Sequence, residues 1–236
     1  MIKATDLIKS YNRKIVLNIS DLTINDGEIF GLVGNNGAGK TTLLRLMLDL
    51  IKADKGQISS GDFVIAKSEK WKDYTSSYLD EGFLIDFLTP EEYFYFIAEE
   101  YGLTKELIDS KLSEFSDFFN GEVLGQKKKY IRDFSRGNKQ KIGIASTLIT
   151  GPGVVILDEP FNSLDPTSQI LLKNMLSDYN KKNSALIVIS SHDLNHVTDI
   201  CTRIAIIEKG AIIRDLKNDG GAMNELANYF SVRKQG

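Results

Sequence analysis

The segment Gly34-Asn35-Asn36-Gly37-Ala38-Gly39-Lys40-Thr41 constrains this chain more than any other. It follows the spacing G-x-x-x-x-G-K-[ST], and its neighbours supply the context that the spacing requires. Upstream, Glu28-Ile29-Phe30-Gly31-Leu32-Val33 reads as a short buried strand; downstream, Thr41-Thr42-Leu43-Leu44-Arg45-Leu46-Met47-Leu48 reads as a helix. A helix N-terminus carries unpaired backbone N–H groups and the positive end of the dipole, so an anionic phosphate is favoured there. Glycines let the backbone close around that phosphate without Cβ clashes. Lys40 then reaches the β and γ phosphates, and the Thr41 hydroxyl is placed to bind Mg²⁺. The segment implies a bound nucleotide.

The rest of the chain alternates strands and helices. The first thirty residues, with Ile15-Val16-Leu17 and Leu22-Thr23-Ile24 ahead of Asn25-Asp26-Gly27, predict antiparallel strands. Gly56-Gln57-Ile58 and Phe63-Val64-Ile65 predict two more around a Gly61-Asp62 turn. From about 88 to 150 the pattern becomes helical, with Tyr93, Phe94, Phe96 and Ile97, then Leu107, Ile108, Leu112 and Phe115. Thr89 and Pro90 open that region as N-cap and first helical residue. Beyond Gly151, strands at 154–157, 185–189, 204–207 and 211–213 alternate with helices at 166–182 and 194–201. Strands separated by helices imply a mainly parallel sheet. The expected fold is therefore α/β: a nucleotide-binding core, an N-terminal antiparallel β-subdomain and an inserted helical subdomain. A short C-terminal helix is expected at about 220–232.

The run Val154-Val155-Ile156-Leu157 ends in two carboxylates, Asp158 and Glu159. Strand side chains alternate in direction, so the two should diverge. Asp158 is expected to hold Mg²⁺ beside Thr41. Glu159 is expected to take a proton from an attacking water.

These segments, taken in order, resemble the nucleotide-binding subunit of ATP-binding cassette (ABC) transporters. The resemblance runs from Tyr11 to about Leu216. It implies that Tyr11 stacks on adenine, and that the ATP grip comprises Gly34, Asn35, Asn36, Gly37, Ala38, Gly39, Lys40, Thr41 and Thr42. Ser135-Arg136-Gly137-Asn138 occupies the position of the family signature, which caps the γ-phosphate held by a partner chain. Ser163-Leu164-Asp165 resembles the D-loop, and His192 the switch histidine. Catalysis would then rest on Glu159, His192 and Lys40.

Two departures stand out. Arg136 replaces the usual second signature glycine and Asn138 the usual glutamine, a form similar to exporter ATPases of the multidrug, bacitracin and sodium-efflux kind. Asp80-Glu81 stands where relatives place Pro-Gln, which makes Glu81 a third expected Mg²⁺ ligand beside Thr41 and Asp158. A carboxylate there adds charge and donates no hydrogen bond when ionised.

Bulk properties limit the partners. A net charge of −3 gives no general attraction to nucleic acid, and a single cysteine, Cys201, excludes an internal disulfide framework. No apolar run approaches the ~20 residues that span a bilayer. The expected protein is a single ATPase domain, cytoplasmic and peripheral on the inner face of the membrane. It would pair with a second nucleotide-binding subunit and a separate integral membrane subunit, and export is the expected direction. Two alternatives are a cassette ATPase of Fe–S assembly or cell division, and a weakly hydrolysing regulatory subunit.

Overall fold

The computed structural model describes residues 1–219; the helix expected at about 220–232 lies outside them. Strands β1 (Ile2–Tyr11) and β2 (Lys14–Ile24) form an antiparallel pair. β3 (Ile29–Val33) then leads through the glycine loop into helix α1 (Lys40–Met47). β4 (Lys55–Ser60) and β5 (Phe63–Val64) follow, then β6 (Thr75–Tyr78). The helices are α2 (Pro90–Glu100), α3 (Lys105–Ser113), α4 (Ser116–Phe119) and α5 (Arg136–Ile149). The chain returns through β7 (Val154–Asp158), α6 (Pro166–Asn183), β8 (Leu186–Ser191), α7 (Leu194–Ile200), β9 (Arg203–Glu208) and β10 (Ala211–Lys217).

Two sheets result. The first has the order β2-β1-β4-β5 and is antiparallel; the second runs β10-β9-β3-β8-β7-β6. In the second, every pair is parallel except β10 on β9. β6 is the strand that the sequence did not predict. Its Thr75-Ser76-Ser77 lacks an apolar run, because an edge strand pairs on one side only and here commits one deeply buried side chain, Tyr78.

Strand alternation divides the core in two. Val155, Leu157, Ile187, Ile189, Ile204 and Ile206 face the layer made by the inserted helices, α6 and α7. Val154, Ile156, Leu186, Val188, Ala205 and Ile207 face α1 and the antiparallel sheet. Both faces are covered, so these strands read as continuous apolar runs rather than alternating ones. Each of the buried Val, Leu and Ile side chains contributes about 1.5–3 kcal/mol by leaving water. Gly31 is needed where α7 crosses β3: a Cβ there would lie 2.0 Å from Val197 Cγ1 and 3.0 Å from Cys201 Sγ.

β1 changes phase midway. Ile2 and Ala4 are buried and so is Leu7, an odd step that Asp6 accommodates with φ +47°. The β1–β4 register shifts at the same place.

Candidate nucleotide site

The C-terminal ends of β3, β7 and β8 lie side by side, with Asp158 opposite Ser190 and Val33 opposite Ser191. Ligands of open parallel sheets bind beyond this edge. The glycine loop rises from β3 at that edge and takes its shape from close backbone contacts. A Cβ on Gly34 would sit 2.4 Å from the Ile207 carbonyl, and Gly39 adopts φ +114° against Leu17 and Val16 of β2. The turn between β9 and β10 closes the other side, where Gly210 N–H donates to the Ala38 carbonyl at 2.9 Å.

Lys40 is only 6% exposed. Its ammonium donates to the Gly34 carbonyl at 2.7 Å and to that of Asn35 at 3.5 Å. It also meets Glu159 Oε1 at 3.2 Å. The Thr41 hydroxyl donates to Asp158 Oδ2 at 2.6 Å. Asp158 Oδ1 accepts from the buried Ser190 hydroxyl, whose oxygen also accepts from Glu159 N–H at 2.9 Å. Sequence reasoning missed Ser190, which lies near the end of β8, two residues before His192; its place opposite Asp158 is what reveals it.

The expected divergence of the two carboxylates is corrected by the backbone. β7 ends at Asp158, and Glu159 turns left-handed with φ +47°. Strand alternation therefore stops one residue early, and both carboxylates end against the first two residues of α1. Non-glycine residues in this conformation cost free energy and persist where surrounding contacts hold them. Here Gln140 of α5 supplies the hold, its amide donating to the carbonyls of Glu159 at 3.3 Å and Pro160 at 3.1 Å. Glu159 Oε2 contacts His192 Nδ1 at 2.9 Å and accepts from His192 N–H at 3.3 Å. Glu159 Oε1 is buried, and its neighbour is the Lys40 ammonium, an ion pair rather than a hydrogen bond.

The signature segment lies nearby on a different helix. Ser135 is the N-cap of α5, its hydroxyl accepting from Asn138 N–H at 3.2 Å. Gly137 passes so close to the Ser163 carbonyl that a Cβ would lie 2.6 Å from it. Ser163 itself has φ +64°. Asp165 caps α6, accepting from Ser168 N–H at 3.0 Å and from the Ser168 hydroxyl at 2.5 Å. Those two bonds hold its carboxyl below the usual aspartate range. Leu164 is buried beside it. Tyr11 closes β1 with about half its surface exposed, and the Lys9 ammonium sits 5.3 Å from its ring centroid.

Glu81, the third expected Mg²⁺ ligand, lies on the short turn after β6. Its Oε2 lies 3.5 Å from Lys139 Nζ on α5, so its neighbour is a cation of the signature helix. Among the described residues, no group of three or more His, Cys, Asp or Glu side chains could hold a metal by itself. The Thr41–Asp158 pair still fits Mg²⁺, which takes one or two protein oxygens and completes its shell with phosphate oxygens and waters.

A glycine loop at the end of a parallel strand, a lysine turned into it and a hydroxyl–carboxylate pair beneath it define a nucleoside-triphosphate-binding ATPase. The sequence pattern of the ABC transporter family matches residues 17–162, and the chain belongs to that family as an ATP-binding cassette. Its sequence is similar to the bacitracin transport ATP-binding protein BcrA of Bacillus licheniformis, 33% identical over 93% of this chain and 70% of that protein. It is also similar to the methionine import ATP-binding protein MetN 2 of Oceanobacillus iheyensis, 30% identical over 91% of this chain and 64% of that one. A solved ATP-binding subunit of an ABC transporter superposes with a TM-score of 0.86 at 26% identity, covering the whole of both chains. The fold is accordingly the ABC ATPase cassette: an antiparallel N-terminal sheet, a mostly parallel sheet bearing the glycine loop, and inserted helices.

Proposed function

We propose that this chain hydrolyses ATP as one half of a cassette dimer and drives a separate membrane subunit, in the direction of export. The observation that carries the reading is the convergence of Lys40, Thr41, Asp158, Glu159 and His192 at one sheet edge. In this reading the glycine loop and Lys40 bind the phosphates, and Tyr11 stacks on the adenine. Thr41 and Asp158 hold Mg²⁺, which neutralises phosphate charge when bound. The Glu159 carboxylate, held by His192 through Oε2 and paired with Lys40 through Oε1, takes the proton of the attacking water. Ser135 and the N-terminal amides of α5 cap the phosphate bound by the partner, beside the D-loop residues Ser163, Leu164 and Asp165.

Dimerisation is supported by the presence of both half-sites on one chain. Among the described residues no helix is long and apolar enough to cross a membrane. Export is supported by the form of the signature and by the likeness to a bacitracin transport protein; the methionine import relative marks the opposite direction.

Glu159→Gln tests the reading. It keeps the size of the side chain and removes its basicity, so hydrolysis should fall roughly 10²–10⁴-fold. ATP binding should persist, and a stable ATP-bound dimer should appear by size-exclusion chromatography. Undiminished phosphate release from the variant would remove Glu159 from the role of base.

A further inference from the structure

The acidic pair Asp80-Glu81 stands between the two helices that carry the chemistry. Asp80 Oδ2 lies 4.0 Å from Arg45 Nη2 on α1, the helix of the phosphate loop. Glu81 Oε2 lies 3.5 Å from Lys139 Nζ in the first turn of α5, the signature helix. The backbone between them is ordered by its own contacts. Asp80 accepts from Gly82 N–H at 2.8 Å and opens a single 3-10 turn over Glu81–Phe83. Two residues earlier, the Tyr78 ring packs on Gly143 of α5, where an added Cβ would meet it at 2.0 Å. The loop therefore leaves the sheet already pressed onto α5.

Charge explains why a carboxylate belongs there. The opening of α5 contains Arg136 and Lys139, with no acidic residue in its first turn. Cations near a helix N-terminus oppose the positive end of its dipole. Glu81 brings from another segment the negative charge that this turn lacks.

We infer that Asp80 and Glu81 are positioning residues, forming an electrostatic tie that fixes the signature helix relative to the phosphate-loop helix of the same chain. The inference rests on the division of roles proposed above. Both ion pairs are half-exposed, so each is weak and is screened by salt. Being adjacent on one short turn, they act on the two helices together. The partners of the tie are two cations, Arg45 of α1 and Lys139 of α5. Its loss therefore lowers turnover, which depends on how α5 is presented, and leaves the Michaelis constants for ATP and Mg²⁺ in place.

The test compares Glu81→Lys, Lys139→Glu and the doubly swapped chain, each as the full-length protein. Phosphate release is followed at low and high salt while ATP and Mg²⁺ are varied. Each single reversal should lower kcat about three- to ten-fold at low salt, since a weak attraction becomes a repulsion of similar size. The double swap should return kcat to within about two-fold of the wild type, and high salt should narrow all these differences. Melting temperatures of the same four chains without nucleotide give a second cycle, in which the swap should again recover what the single reversals lose. Failure of the swap to rescue either quantity overturns the tie. So does a Glu81→Gln variant whose Michaelis constant for Mg²⁺ rises about ten-fold while the Lys139 variants match the wild type, because that result assigns Glu81 to the metal. A wild-type chain without turnover would count against the proposed function, and the melting cycle would still decide the tie.

Discussion

Lys40 is the most heavily committed side chain in the cleft. Its ammonium is enclosed and touches both the loop carbonyls and Glu159. In the proposed reading, a phosphate entering the loop draws the Lys40 ammonium away from Glu159. Glu159 then keeps His192 as its partner. On that reading, ATP binding and release of the proposed base are one event at one nitrogen. One turn beyond His192, His196 does something different: its ring lies 4.7 Å from that of Phe161, and its Nε2 lies 3.8 Å from Asp193. Burial against that ring and the positive charge of Lys173 on α6 lower its pKa, while Asp193 and Asp199 on its own side oppose the shift only in part. The neutral ring is therefore favoured in the fold, and the unfolded chain takes up the proton first as pH falls. The stability that His196 contributes is present above about pH 6.5 and is lost as pH drops through that value toward the lower folded pKa. His196→Gln removes this titration. Its melting temperature should fall less than the wild type's between about pH 7.5 and pH 5.5. Parallel slopes for the two proteins would show that His196 plays no part.

At the scale of elements, legibility followed burial on both faces. β3, β7 and β8 announce themselves because two layers cover them, which demands unbroken apolar runs such as Val154-Val155-Ile156-Leu157. The glycine loop was equally plain, since its glycines, Lys40 and Thr41 are fixed by contacts within one short segment. What the sequence hid depends on residues far apart in the chain. Ser190 matters because it stands opposite Asp158 across two strands, and Glu81 because Lys139 lies on a helix that begins more than fifty residues later. β6 was hidden for the converse reason, having little to bury. Its packing onto α5 depends on one glycine. Gly143→Ala would drive a Cβ to 2.0 Å from the ring of Tyr78, itself buried and unable to swing out. Overpacking of that kind costs about 1–3 kcal/mol, and here it separates α5 from the sheet edge. Urea unfolding of the variant should show the loss, with turnover reduced as α5 shifts. A variant as stable and as active as the wild type would mean that the α5–β6 contact has no such importance.

At the scale of the whole molecule, the arrangement of the two anion sites on one chain makes a prediction about two chains. The glycine loop and the start of α5 are both helix N-termini suited to phosphate, yet among the described residues no hydrogen bond joins Ser135 or Asn138 to the loop. In the proposed dimer each active site takes its loop from one subunit and its signature from the other. Lys40→Ala disables the loop. Ser135→Asp disables the signature and leaves the fold intact, because aspartate caps a helix as well as serine does while its charge repels the phosphate. Each variant alone should be inactive, both sites of its dimer being damaged. In an equal mixture about half of the dimers contain one chain of each kind, and each mixed dimer holds one site with both parts intact beside one with neither. Activity should therefore return to about a quarter of the wild-type level, rising to that value as subunits exchange. Sites completed within a single chain allow no such recovery, and a mixture as inactive as its components would rule out the shared site.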